Sequence, residues 1–194
     1  MDIVLGVLLG IGLAAACGFR IFVPFLALSV ASFAGHVHLA EGFAWVGTWP
    51  ALVAFGVATA LEVGGYYVPW LDNALDVAAT PASVVAGTLL TAACITDMSP
   101  MLRWTLAAVA GGGVALAVQA ATVKARALTA LFTAGAGNPL VSTTEAVGSA
   151  AVSTLVILLP ILTLLVLAAA GFLLWRLFRP KASQARSGSA FPKK

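Results

Sequence analysis

The sequence predicts an all-α fold, a polytopic transmembrane helical bundle of about six or seven spans, each needing roughly 20 apolar residues. Three observations predict it. Only 9% of the 194 residues are charged while 61% are hydrophobic, and mean hydropathy is +1.06, which leaves too little polar surface to wet a soluble globule. The long apolar runs at 51–60, 83–95, 104–118 and 150–175 lack the alternation of polar and apolar residues that a barrel strand would show. Lipid offers the backbone no hydrogen bonds, so spans that are not barrel strands must be helices.

In chain order, apolar segments fall at 3–17, 21–35, 49–68, 74–96, 103–122, 127–147 and 149–178. The first is not read as a signal peptide, since it follows Asp2 rather than a basic stretch and runs into further apolar sequence. The first two are short for separate spans and together too long for one. A break is therefore expected across Gly18-Phe-Arg-Ile-Phe-Val-Pro24, as a turn between spans or as the tip of a re-entrant pair. Thr80-Pro81 and Asn138-Pro139 are expected to interrupt helices, because proline removes a backbone donor. Glu62 before the first of these, and Gln119 before the second, hint at a weak parallel repeat. Gly87, Gly148 and Gly111-Gly-Gly113 suit close helix packing, a hinge, or contacts in a homo-oligomer.

Charge sets the orientation. Arg176, Arg179, Lys181, Arg186, Lys193 and Lys194 make up more than half of the ten basic residues and follow the last span. Basic residues accumulate on the cytoplasmic side, so the expectation is a bundle over 1–178 in the inner membrane of a bacterium, with a disordered basic tail at 179–194 in the cytoplasm. Seven crossings then put Arg20, Lys124 and Arg126 on that same side and Arg103 outside. Trp45, Trp49 and Trp104 would lie toward the outer interface, Trp70 and Trp175 toward the inner one.

Ionisable groups at membrane depth are costly, by about 2.5 to 3.5 kcal/mol on insertion scales, and so they carry the functional argument. Glu62 and Glu145 lie inside apolar stretches. They are either cation or proton sites in a transport path or structural groups bonded to neighbouring helices. Asp72 and Asp76 are four residues apart, with Thr80 one turn on, so all three share one helical face. The like charges call for Arg20, Lys124 or a bound cation nearby; alternatively they simply decorate a helix N-terminus. As a metal pair, Asp72 and Asp76 could hold a divalent ion against a lipid phosphate. The chain lacks the D-G-x-x-A-R element that accompanies such a pair in phosphatidyl-alcohol transferases, and no nucleophile sits beside a base, so no catalytic residue is assigned.

The remaining signals are weak. His36-Val-His38 with Glu41 is too sparse for a metal site. Cys17 and Cys94 read as small buried hydrophobes. The net charge of +3 comes from the tail, so no nucleic-acid partner is expected, and no glycine loop implies a nucleotide or another cofactor.

Three stretches carry a family resemblance: Gly18-Phe-Arg-Ile-Phe-Val-Pro-Phe-Leu-Ala-Leu-Ser29; Glu62 through Pro81 with its Pro-Trp-Leu-Asp-Asn-Ala-Leu-Asp; and Gly137-Asn-Pro-Leu-Val-Ser142 with Glu145. Over roughly residues 5 to 165 the chain resembles the bacterial membrane family known as domain of unknown function 4126. The resemblance implies no activity. It implies that Arg20, Glu62, Asp72, Asp76, Pro81, Asn138, Pro139 and Glu145 belong to one constellation. Where similar proteins place a charged residue after the membrane glutamate, this chain has Tyr66 and Tyr67, which puts an ion pair there in doubt. The expected function is a small transporter or channel for a cation, a proton or a small solute. A membrane scaffold or subunit resting on membrane lipid is the alternative, and a metal-dependent lipid-phosphate enzyme a more distant one.

Overall fold

The computed structural model describes residues 2–133, 137–162 and the single positions 165, 168, 169, 172 and 176, without the side chains of 69, 70, 72 and 73. Among these residues the protein is a helical membrane bundle: α1 (Ile3–Cys17), α2 (Phe22–Phe33), α3 (Trp49–Gly65), α4 (Pro69–Cys94), α5 (Pro100–Leu106), a π-helical segment (Ala107–Gly112), α6 (Gly113–Thr133) and α7 (Asn138–Leu158). Helix resumes at 160. The tail at 179–194 and most of the far half of the expected last span lie outside the described residues.

Among the described residues, three helices are long and apolar enough to cross a bilayer: Ala74–Cys94, Pro100–Thr133 and Asn138–Leu158. The shorter α1 sits among them, touching α2, α4, α6, α7 and the π segment, which is why its apolar residues show no sidedness. Its Leu9 and Leu13 join Leu28 of α2, Leu90 of α4 and Val156 of α7 in one core. The expected break between α1 and α2 is a tight turn at 18–21, where the N–H groups of Phe19 and Arg20 both donate to the Ala16 carbonyl.

Two expectations change. The span expected at 127–147 does not exist as such: residues up to Thr133 continue α6, and α7 begins at Asn138. Lys124 and Arg126 therefore stand on a helix instead of marking a loop. Arg126 is only 5% exposed, and a helix can carry such a charge inside when side-chain partners replace water. Second, α4 runs through Pro81 without a break. Asn138-Pro139 does mark an interruption: α6 ends at Thr133 and α7 begins at Asn138, with Pro139 in its first turn, where its missing N–H costs nothing. A further irregularity comes at the glycine run, as the π segment. There a Cβ on Gly111 would sit 2.6 Å from the Gly87 carbonyl of α4, so only glycine lets these two helices approach so closely. The proposed repeat has no matching geometry, since Glu62 lies near the end of α3 and Gln119 in the middle of α6.

At one end of the bundle, the segment between α2 and α3 folds back as a plug. Gly35 and Gly42 turn it with φ of 77° and 88°, the Ala40 N–H donates to the Ala93 carbonyl at 2.8 Å, and the Ser29 hydroxyl donates to the Val46 carbonyl at 2.6 Å. Trp45, Trp49 and Trp104 gather at this end, ring against ring with Phe55, Phe33 and Phe43.

Candidate functional site

At the opposite end, the α1–α2 turn stops short of the ends of its neighbours. Arg20 in that turn reaches Ser142 and Glu145, which stand one and two turns inside α7. Asp76 stands two turns inside α4 and Arg126 two turns from the end of α6. At 1.5 Å per residue the charged groups meet roughly 10 Å within the bundle. Polar side chains fill the space that the short hairpin leaves.

The local patterns that deliver them are helical stripes. On α7, Ser142, Glu145, Ser149 and Ser153 are all buried on one face. Ser149 donates to the Ala16 carbonyl at 3.0 Å, which pins α7 to the end of α1. On α6, Ala115, Gln119 and Arg126 are the buried positions, and between them Thr122 donates to the Gly18 carbonyl at 3.4 Å.

Arg126 organises one half of the cluster. Its Nε lies 3.0 and 3.1 Å from the two oxygens of Glu145, its Nη2 also meets that carboxylate and the Ser142 hydroxyl, and its Nη1 is 3.5 Å from Asp76 Oδ1. Arg20 joins from the other side, its Nη2 3.0 Å from the Ser142 carbonyl and 3.2 Å from Glu145 Oε2. Arg20 is 1% exposed, and its Nε and Nη1 have no hydrogen-bond partner among the described residues. The Tyr66 ring packs against both guanidiniums, with the Arg20 and Arg126 Cζ atoms 3.7 and 4.4 Å from its centroid. An aromatic face attracts each cation. Where the tyrosines put an ion pair in doubt, Tyr66 makes cation–π contacts with both arginines. Next to it, Tyr67 shares a hydrogen bond of 2.8 Å with Thr143, tying the end of α3 to α7.

Glu62 is held differently. Its two carboxylate oxygens accept the N–H groups of Ile21 and Phe22 at 2.7 and 3.0 Å, so it caps the free N-terminus of α2. The exposed donors and the helix dipole make that terminus a natural anion seat, here filled by a side chain from α3.

The sequence-derived candidates therefore divide. Arg20, Glu62, Asp76 and Glu145 come together. Thr80 lies one turn beyond Asp76 and bonds back to its carbonyl at 3.5 Å. Asn138 is at the start of α7, two turns from Glu145. The side chain of Asp72 lies outside the described residues. Lys124 is exposed, and the cation that meets Asp76 is Arg126. Sequence reasoning missed Arg126 and Tyr66. For Arg126 a signal existed: Gln119, Thr122 and Arg126 recur at helical spacing in an otherwise apolar run, a stripe that only a continued helix explains.

Beside Glu62, the end of α3 and the start of α4 diverge around a half-open cavity of about 600 Å³. It is walled by apolar side chains, including Leu71, Leu75 and Ala82, with Glu62 and Tyr66 at its inner side. Among the described residues, no three His, Cys, Asp or Glu side chains group closely enough to hold a metal ion.

The model of the family described as a domain of unknown function (DUF4126) matches residues 7–180. No curated protein and no solved structure matches the chain.

Proposed function

The chain belongs to the DUF4126 family, and from that footing we propose that it is a small membrane transporter or channel. In this reading it moves a cation, a proton or a small solute, with Glu62, Asp76 and Glu145 as the groups that respond to charge. One observation carries the reading: charges from the α1–α2 turn, α3, α4, α6 and α7 converge roughly 10 Å inside the bundle, beside a cavity that reaches Glu62. Charged groups at such depth are expensive and characteristically mark ion and proton paths. The partners also have room to exchange. Among the described residues the buried Nε and Nη1 of Arg20 have no partner, next to the backbone donors that hold Glu62. A proton or cation arriving at Glu145 would loosen its hold on Arg20 and free that guanidinium to turn toward Glu62, and the turn sits at the joint of α1 and α2.

The positive-inside bias supports placing this charged end at the cytoplasmic face of a bacterial inner membrane, with the C-terminus on the same side. Proton and cation flux into liposomes tests the reading. Glu62→Gln and Asp76→Asn are expected to reduce flux at least tenfold, and wild-type rates in both variants would overturn it.

A second reading, a non-catalytic membrane scaffold, draws support from the engagement of Glu62, Asp76 and Glu145 with protein groups. It expects no flux above empty liposomes. The lipid-phosphate enzyme has less behind it, since Asp76, half of its metal pair, faces Arg126.

A further inference from the structure

The cavity beside Glu62 has a shape and a charge that the ion cluster does not use. α3 leans on α2, where Phe25 stacks on Phe55 with centroids 5.1 Å apart, and touches α4 only sparingly. The divergence leaves a groove whose rim includes Leu61, 70% exposed, so it opens sideways onto the surface that lipid covers. About 600 Å³ falls within the roughly 300 to 1,000 Å³ usual for small-molecule sites, which are mostly apolar with a few placed polar groups.

The charge narrows the occupant. Among the described residues lining the groove, Glu62 carries the one carboxylate. Arg126 is engaged by Glu145 and Asp76, and Arg20 by Glu145. Glu62 is held by backbone N–H groups and has no ion pair among the described residues. A lipid acyl chain would fill the walls but has no use for a carboxylate, and an inorganic cation would have no use for the walls. We infer that the α3–α4 groove binds a monovalent organic cation with an apolar body, admitted sideways from the bilayer, its charge on Glu62 and its body against Leu71, Leu75 and Ala78. This names the substrate class for the transport reading above and rests on it.

The test is equilibrium dialysis of tetraphenylphosphonium against the purified full-length protein in detergent, with tetraphenylborate as a probe of similar shape and opposite charge. The expected result is saturable binding of the cation, at least tenfold weaker for Glu62→Gln and for the anion. Ala78→Leu should weaken it to a similar extent. Ala78 is exposed on the groove wall, so this variant fills the site without touching the cap on α2 and decides the matter if Glu62→Gln fails to fold. Absence of saturable binding, equal affinity for the two probes, or wild-type affinity in Ala78→Leu would each overturn the proposal. Dialysis involves no gradient, so ion flux with no cation binding would remove only the ligand class, and binding with no flux only the transport reading.

Discussion

The two ends of this bundle are closed by opposite means. At one, α2 is extended by the 34–48 plug, and the gap is sealed by Val37, Val46 and paired aromatic rings. At the other, the α1–α2 turn stops short and the space is taken by Arg20, Arg126, Glu62 and Glu145. The same short hairpin creates both gaps. Apolar closure depends on shape alone and tolerates the loss of any one group in proportion to its size. Charged closure is stable only while every member is present, because a lone charge left in a dry site costs more than the pair contributed.

That contrast sets the largest expected effect. Arg126→Met leaves Glu145 and Asp76 without their shared cation, and should destabilise the protein by about 3 to 5 kcal/mol, measured by unfolding in mixed detergent micelles. Adding Asp76→Asn on the same chain should recover part of the loss, since it neutralises the carboxylate that Arg126 faced, while Glu145 keeps its pair with Arg20. If the double variant is no more stable than Arg126→Met, the cluster is held by geometry rather than by charge balance and the comparison fails. The apolar end provides the counterpart. Val46, 1% exposed, truncated to Ala, should cost about 1 to 2 kcal/mol from lost burial and the cavity left behind. No second substitution in that plug should rescue it the way a charge partner does.

The sequence shows the helices better than it shows this division. Apolar runs place α1, α2 and α3 to within three residues at each end, and α4 apart from its opening at 69–73, because lipid leaves the backbone no alternative to helix. It misplaces the boundary between α6 and α7, because Lys124 and Arg126 look alike to hydropathy although one is exposed and the other buried. Glu62 and Glu145 stand out as charges in oil. Their partners do not, since a guanidinium reads as a loop residue and Tyr66 as an ordinary aromatic until three helices bring them together. The π segment is equally silent, because a close approach between Gly87 and Gly111 belongs to two helices and to neither sequence alone.

Tyr66 permits a finer cut through the charged end. Tyr66→Leu keeps the bulk and removes the π face that both guanidiniums contact, an expected loss of about 1 kcal/mol, whereas Tyr66→Phe should stay close to wild type. Equal losses in both variants would show that the hydroxyl matters and the cation–π contacts do not.

The smallest effect probes whether neutral hydrogen bonds differ between the two ends as charges do. Tyr67→Phe removes the bond to Thr143 at the charged end, and Ser29→Ala removes the bond to the Val46 carbonyl at the plugged end. Interhelical hydrogen bonds in membrane proteins average about 0.6 kcal/mol. Tyr67 is 48% exposed, so water or headgroups can replace its partner and Tyr67→Phe should fall at or below that figure. Ser29 is fully buried, and Ser29→Ala leaves the Val46 carbonyl unsatisfied, which should bring the loss to about 1 kcal/mol or more. Unfolding both variants under one detergent condition decides the order. A larger loss for Tyr67→Phe would mean that the charged end depends on this link between α3 and α7, and that its cohesion reaches beyond the arginine cluster.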